Sequence, residues 1–180
     1  EWDERFAADS PGLGKVRDLW GASPTVDIEL WRYLIGIDLV LQWQAGERPV
    51  DEPVRRAMHD SRAYESKARF DDQWLRILDV DAALNARTYG PVDAPVSIEI
   101  DDPMFSSNNG TWEVSSGGAI RSQSPADIAV DIATMSAAYL GAVSWHDLAT
   151  IGGLTPSADV LRRLDALFGV RPVPFCGSGY

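Results

Sequence analysis

The side chains best suited to metal or acid–base chemistry are widely scattered in this 180-residue sequence. Its two histidines, His59 and His146, are far apart, and neither has Cys, Asp or Glu at metal-ligand spacing on a shared helix face. His146 and Asp147 are adjacent, and neighbours on a helix do not face each other, so they do not form a catalytic pair. The sequence therefore predicts neither a metal site nor a histidine-based active site.

Two loops contain residues that could hold an anion or a cation. Residues 11–15 carry two glycines, but a phosphate cradle needs a strand that enters a helix, and here a strand is expected to follow. The loop from Asp101 and Asp102 to Gly110 is rich in side chains with oxygen atoms. It lacks the acidic residues at the set positions of an EF-hand loop and the Glu at its last position. We interpret the second loop as a turn, with Asn109 and Gly110 forming a hairpin.

Apolar spacing and turn residues predict alternating strands and helices in the first half. Ser23 as N-cap and Pro24 at the first helical position predict a helix that ends near Asp38 and packs on a sheet. Asp71 and Asp72 favour a hairpin turn between two strands. The expected elements are strands at 15–19, 39–43, 64–70 and 74–78, and helices at 24–38, 54–58 and 79–89.

A change of composition marks the second half. Gly90, Pro91 and Pro95 cluster within a few residues, which is typical of a linker, so we predict domains at 1–90 and 91–180. Strands followed by segregated helices make the second domain α+β, within a protein of the α/β (α+β) class. Its expected elements are an antiparallel sheet from 96–100, 110–114, 119–122 and 128–132, and helices at 133–140, 144–151 and 155–168.

Charge and apolar patterning limit the classes of partner. With 27 acidic against 16 basic side chains the formal net charge is −11, which repels phosphate backbones and anionic lipids and favours cationic ligands. We therefore expect neither nucleic acid nor a membrane as a partner. The apolar runs of the sequence are also shorter than the ~20 residues that a membrane helix needs. A single cysteine, Cys176, favours a reducing compartment. The chain starts at Glu1 without a targeting segment, which we interpret as a cut.

Three stretches taken together resemble one family, the enhanced-intracellular-survival (Eis) acetyltransferases of actinobacteria, which belong to the GNAT superfamily. The stretches are LWRYLIGID at 30–38, DDQWLRILDV at 71–80 and MSAAYLGAV at 135–143, followed by the helix at 161–168. In this order and spacing the resemblance is specific, and it covers nearly the whole chain.

The resemblance implies a protein of three parts: a GNAT domain that binds acetyl-CoA, a second GNAT-like domain and a C-terminal domain folded like sterol carrier protein. Residues 1–90 resemble the latter part of the second domain, and residues 91–180 resemble the third. The acetyl-CoA domain would then lie in an N-terminal GNAT half outside this chain. The resemblance also implies a homohexamer and a cytoplasmic location, with secretion in some members.

The chemistry that the resemblance implies is acetyl transfer from acetyl-CoA to a primary amine of an aminoglycoside, a polyamine or a protein lysine. The ammonium group must first lose a proton, so the site needs a general base. In the family this base is the terminal carboxylate of an aromatic last residue, the position of Tyr180 here. The alternative is that residues near the terminus form an ordinary frayed tail.

The resemblance also suggests where an amine would bind. Asp71 matches an acidic position of the family at a strand turn, and Trp43 and Glu47 are the other candidates for the amine-binding wall. The alternatives are a hairpin Asp, a core Trp and a solvated loop Glu. Gly179 replaces an acidic residue that characterised members can have before the terminal aromatic, which puts aminoglycoside specificity in doubt.

Two other functions are compatible with the sequence. The sterol carrier-like domain could hold a lipid or another apolar ligand between its sheet and helices, in a cavity lined by Val96, Ile98 and residues 161–168. The chain could also serve as an oligomer scaffold.

Overall fold

The computed structural model describes residues 12–71 and 73–177, and within them the chain forms two compact units. Of the described residues, 12–71 and 175–177 belong to the first unit, and Gln73–Pro174 forms the second. The segment at 90–95 lies inside the second unit, where the Gly90 amide donates to the Leu167 carbonyl at 3.0 Å. Each unit has its own hydrophobic core.

Two parallel strands joined by a helix form the centre of the first unit. Ser23 caps this helix by accepting a hydrogen bond from the Val26 amide, and Pro24 is its first residue, as the sequence predicts. The two strands lie within a few residues of their predicted positions. The elements are β1 (Leu13–Val16), α1 (Pro24–Ile35), β2 (Gln42–Ala45), α2 (Val54–Ala57) and a 3-10 turn at Ser61–Ala63.

The predicted strands at 64–70 and 74–78 do not form in the described part of the chain. The residues there are irregular and mostly exposed, with Trp74 89% exposed, although Ile77 is buried. Their aromatic and apolar side chains favour a strand, but a strand also needs a neighbour to take up its backbone hydrogen bonds, and no described strand pairs with it. Asp72, half of the predicted hairpin turn, lies outside the described residues.

Four strands and four helices build the second unit. Asp79, Ser144 and Ser157 cap three of the helices, each by accepting a hydrogen bond from a first-turn amide. The sheet has the strand order β5-β4-β3-β6. The elements are α3 (Val80–Ala86), β3 (Val96–Asp101), β4 (Gly110–Ser115), β5 (Gly118–Ser122), β6 (Ile128–Asp131), α4 (Ile132–Tyr139), α5 (Trp145–Gly152) and α6 (Ala158–Phe168), with a 3-10 turn at Ser106–Asn108.

The sheet of the second unit is mixed rather than wholly antiparallel. β3 with β4 and β4 with β5 are antiparallel as predicted, but β6 runs parallel to β3, with Ile98 opposite Ile128. The start of β6 is fixed by Asp127, whose amide donates to the Ser97 carbonyl and whose side chain accepts from the Ser97 amide. The prediction of direction was wrong because the connection from β5 passes both β4 and β3 before β6 pairs at the far edge of the sheet.

The Asn109–Gly110 pair does not form a hairpin turn. Residues 102–109 make a longer loop between β3 and β4, and the Asn109 side chain accepts a hydrogen bond from the Asp102 amide at 2.6 Å. Gly110, with φ 141°, is the first residue of β4. The tight turn lies instead between β4 and β5, where Gly118 has φ 132°. Asn109 thus accepts a hydrogen bond within the loop, and Gly110 begins strand β4.

Arg87 joins two helix ends of the second unit. Its guanidinium donates to the carbonyl of Tyr139, the last residue of α4, and at 2.9 Å to that of Phe168, the last residue of α6. It also lies 4.5 Å from the centroid of the Phe168 ring and 5.0 Å from that of Tyr89. The positive charge of Arg87 therefore lies at the C-terminal ends of both helices, where the helix dipoles are negative.

None of the helices that the structure describes is long and apolar enough to span a lipid bilayer.

Candidate functional site

Asp71, one of the residues proposed to contact an amine, lies at the end of the first unit in irregular, exposed backbone. Within the described residues no hydrogen bond or ion pair joins it to Trp43 or Glu47. The structure therefore leaves this carboxylate open to solvent.

Trp43 and Glu47 lie close together in sequence, on β2 and just beyond it. The ring of Trp43 covers Gly14 of the paired strand, where a Cβ would lie only 2.4 Å from ring carbons. Its indole Nε1 is buried and has no hydrogen-bond partner among the described residues. Glu47 is exposed and has φ 49°, so its side chain projects from a strained turn.

Tyr180, the proposed catalytic residue, lies outside the described residues. The last described segment, residues 175–177, belongs to the first unit. There the Phe175 ring packs on Trp20, with centroids 5.1 Å apart and the planes inclined by 37°. The chain is thus held three residues before the position of Tyr180.

A buried ion pair supports this contact, and sequence reasoning missed it. Arg48 donates at 2.5 Å to Glu52, whose side chain is 2% exposed, and the Trp31 indole donates to the same oxygen at 2.7 Å. Arg48 also donates to the Leu19 carbonyl at 2.6 Å, and its guanidinium carbon is 5.8 Å from the centroid of the Trp20 ring. Only the i, i+4 spacing of Arg48 and Glu52 could have suggested the pair.

The charge of Glu52 affects the neighbouring phenol. Burial first, and then the negative charge of Glu52, raise the pKa of Tyr64 above its ordinary value, while Arg48 opposes the shift. The second carboxylate oxygen of Glu52 is buried without a partner among the described residues. Since a buried ion pair costs desolvation, its presence favours a role in fixing geometry rather than in adding stability.

The histidines and the glycine-rich loop show no catalytic arrangement. His59 and His146 are both exposed, and Asp147 exchanges hydrogen bonds with Ser144 at the start of α5. In the described residues no group of three His, Cys, Asp or Glu side chains could hold a metal ion. Gly14 and Lys15 belong to β1 rather than to a loop that leads into a helix, so this stretch does not form a phosphate cradle.

The residues predicted to line an apolar site in the second unit lie in its hydrophobic core. Val96, Ile98, Leu164 and Leu167 are all fully buried in one packed core. A surface cavity of about 430 Å³ lies elsewhere in this unit. It is lined by residues 141–145, Asp165, residues 168–171 and Val173.

The comparisons with known proteins agree with the two-part structure. Residues 2–77 match the acetyltransferase (GNAT) domain family, and residues 80–177 match the sterol carrier protein domain family. A crystal structure of Eis1 from Mycobacterium abscessus superimposes with a TM-score of 0.88 at 36% identity, over 96% of this chain and 44% of the other.

Sequence relatives point the same way. A protein of Streptomyces avermitilis named as an uncharacterized N-acetyltransferase is 36% identical, over 94% of this chain and 42% of the relative. The N-acetyltransferase Eis of Mycobacterium tuberculosis is 32% identical, over 87% of this chain and 39% of the relative. The chain therefore spans about two fifths of the length of the curated relatives it matches.

Together these matches define a class of protein, in which a GNAT portion is followed by a sterol carrier protein domain. The chain belongs to the Eis-like family of GNAT N-acetyltransferases.

Proposed function

We propose that this chain is the C-terminal portion of an enzyme that transfers the acetyl group of acetyl-CoA to a primary amine. The observation that carries the proposal is the match to N-acetyltransferases over almost the whole chain. Acetyl-CoA, the cosubstrate of GNAT enzymes, would bind to the N-terminal GNAT half outside the chain. In the reaction the amine nitrogen bonds to the thioester carbon, the carbon–sulfur bond breaks, and the thiolate of coenzyme A takes up a proton.

In this proposal the Tyr180 carboxylate is the general base that removes a proton from the substrate ammonium. A free α-carboxyl has a pKa of about 3.3–3.7, so it is ionised at neutral pH but a weak base. Burial near other carboxylates in the active site would make it a stronger base. The contact of Phe175 with Trp20 supports the proposal, because it brings the end of the chain to the GNAT-matched residues 2–77.

The test uses the full-length enzyme with its C-terminal residue changed. We expect deletion of Tyr180 to lower kcat by about 10²–10⁴-fold, the usual contribution of a positioned base, with the fold unchanged by circular dichroism. Tyr180→Phe, which keeps an aromatic ring and the terminal carboxylate, should keep most of the turnover. Undiminished turnover after the deletion would exclude the carboxylate as base.

We propose a small polycationic amine, such as a polyamine, as the substrate class, with Glu47 and Asp71 as carboxylates that attract it. Both side chains are exposed, and the net charge of −11 favours cationic ligands. Trp43 would contribute to the wall through its ring. Glu47→Gln and Asp71→Asn should raise KM for spermidine without lowering kcat, whereas Glu65→Gln, at another exposed carboxylate, should not. Equal effects of all three would indicate only the overall charge.

We also propose that the full-length enzyme is a homohexamer, a state supported by family membership. Native mass spectrometry of the full-length enzyme measures it directly, and a monomer at micromolar concentration would contradict it.

A further inference from the structure

Among the described residues, the C-terminal segment packs on an aromatic residue of the first unit, Trp20. This side chain is 52% exposed, and the Phe175 ring packs against it with centroids 5.1 Å apart. Such tilted pairs are attractive beyond the apolar area they cover. The neighbouring Cys176 is half-buried. A tail without a docking point would leave both residues in solvent.

Gly177 makes a close approach possible. A Cβ at this position would lie 2.3 Å from Cζ2 of Trp20, closer than side-chain carbons approach, and 3.1 Å from Cε1 of Phe175, which is a tight contact. The backbone of the tail therefore lies directly against the indole, and only glycine fits there. Phe175 and Gly177 hold the same ring from two positions of the chain.

Buried groups next to the Trp20 indole fix its position. Leu19, the preceding residue, is 7% exposed, and its carbonyl accepts a hydrogen bond from Arg48. The Arg48 guanidinium is within cation–π distance of both Trp20 and Trp31, and it is fixed by Glu52. Because these groups are buried and bonded to one another, Trp20 is a rigid docking point in an otherwise exposed place.

We propose that Trp20 is a positioning residue that docks the C-terminal segment through Phe175 and Gly177 and so fixes where the chain end can reach. A chain extends at most about 3.6 Å per residue, so the three residues after Gly177 reach at most roughly 11 Å, and docking fixes the point from which they reach. The catalytic consequence rests on the proposed function of Tyr180, whereas the docking itself does not.

Cys176, between the two docking residues, is a direct probe. The experiment measures the rate at which N-ethylmaleimide modifies Cys176, followed by mass spectrometry of its tryptic peptide, in the full-length protein. We expect Trp20→Ala to accelerate modification by about 10-fold, as the loss of a tilted aromatic pair implies. Gly177→Ala, which lies outside the core and does not threaten folding, should accelerate it as well.

Trp74→Ala is the matched control, because Trp74 is an 89% exposed tryptophan remote in sequence from the tail. It should leave the modification rate of Cys176 unchanged. Unchanged rates in both Trp20→Ala and Gly177→Ala would overturn the docking proposal. An equal acceleration by Trp74→Ala would overturn it too, since the effect would then be general loosening.

Kinetic measurements distinguish the docking of the tail on Trp20 from the proposed role of the Tyr180 carboxylate as general base. Trp20→Ala should lower kcat by about 10-fold and leave KM for acetyl-CoA unchanged, and Trp20→Phe, which keeps a ring for Phe175, should recover most of kcat. If deletion of Tyr180 leaves turnover unchanged, the general-base proposal fails, while the Cys176 rates still decide the docking. If the rates do not change but the deletion abolishes turnover, docking fails and the base stands.

Discussion

Asp102 keeps a carboxylate buried in the second unit, with only 1% of the residue exposed. Burial alone would raise the pKa of this carboxyl, but hydrogen bonds from Asn108, from the amides of Met104 and Phe105, and from Arg76 together lower it to about 2. These donors tie the loop between β3 and β4 to the chain before α3. The group is thus a structural anchor whose charge the fold requires.

The depressed pKa of Asp102 predicts a pH-dependent stability. Its contribution is complete above the ordinary pKa of 3.8 and is lost as the pH falls through about 2, because the folded state must then take up a proton. Urea unfolding between pH 2 and 5 should therefore show a smaller pH dependence in Asp102→Asn, with lower stability at pH 5. Asp101→Asn, at an exposed neighbour, is the control, and an identical slope in both variants would contradict the assignment.

Residues that act with near neighbours were predictable, and those that act across the chain were not. Ser23 was predicted as a helix cap and accepts a hydrogen bond from the Val26 amide, because capping joins residues only three positions apart. The contacts of Arg48 with Trp20 and of Trp20 with Phe175 have no such local signature. The tail contact in particular joins residues 155 positions apart.

The elements of the second unit meet at the end of α6, where glycines allow close approach. A Cβ on Gly90 would lie 2.0 Å from the carbonyl oxygen of Ala166, and one on Gly141, at φ 76°, would lie 2.1 Å from that of Phe168. The Gly90 amide donates to the Leu167 carbonyl and the Arg87 guanidinium donates to that of Phe168, so two of the last carbonyl groups of α6 gain partners that the helix itself does not supply.

This packing makes Gly141 sensitive to the smallest side chain. Gly141→Ala combines a positive φ with a steric clash and should lower the free energy of unfolding by about 1–3 kcal/mol. Gly117→Ala, at the β4–β5 turn with its nearest atom 3.7 Å away, should change it by less than about 0.5 kcal/mol. Urea denaturation measures both, and similar losses would show that the approach to α6 is not responsible.

Strand positions in the second unit were predictable from alternation, but pairing was not. Residues 96–101 and 110–115 carry the apolar side chains expected of strands in a sheet with one buried face, and both segments are strands. The direction of β6 depends on Asp127 meeting Ser97, a contact between distant residues. The prediction of strands at 64–70 and 74–78 was wrong for the same reason, since local propensity does not supply a partner strand.

At the scale of the molecule, the irregular stretch between the two units should be the site of first proteolysis. Lys67 and Arg69 are exposed in backbone without helix or strand structure, and the ion pair of Lys67 with Glu65 is itself exposed. Brief digestion of this chain with trypsin should cut there first and leave α6 intact, where Arg163 is 13% exposed. Mass spectrometry of the fragments gives the order, and an initial cut at Arg163 would contradict it.

The unequal cores of the two units have a consequence for heating. In the described residues the first core buries Leu19, Trp31 and Val54, whereas the second buries nineteen hydrophobic residues. Since stability grows with buried apolar area, the first unit should melt at the lower temperature. Residues 175–177 belong to that unit, so warming should release the chain end while most of the helix content of the second unit survives. The contact of Phe175 with Trp20 would then be lost before the main calorimetric transition of this chain.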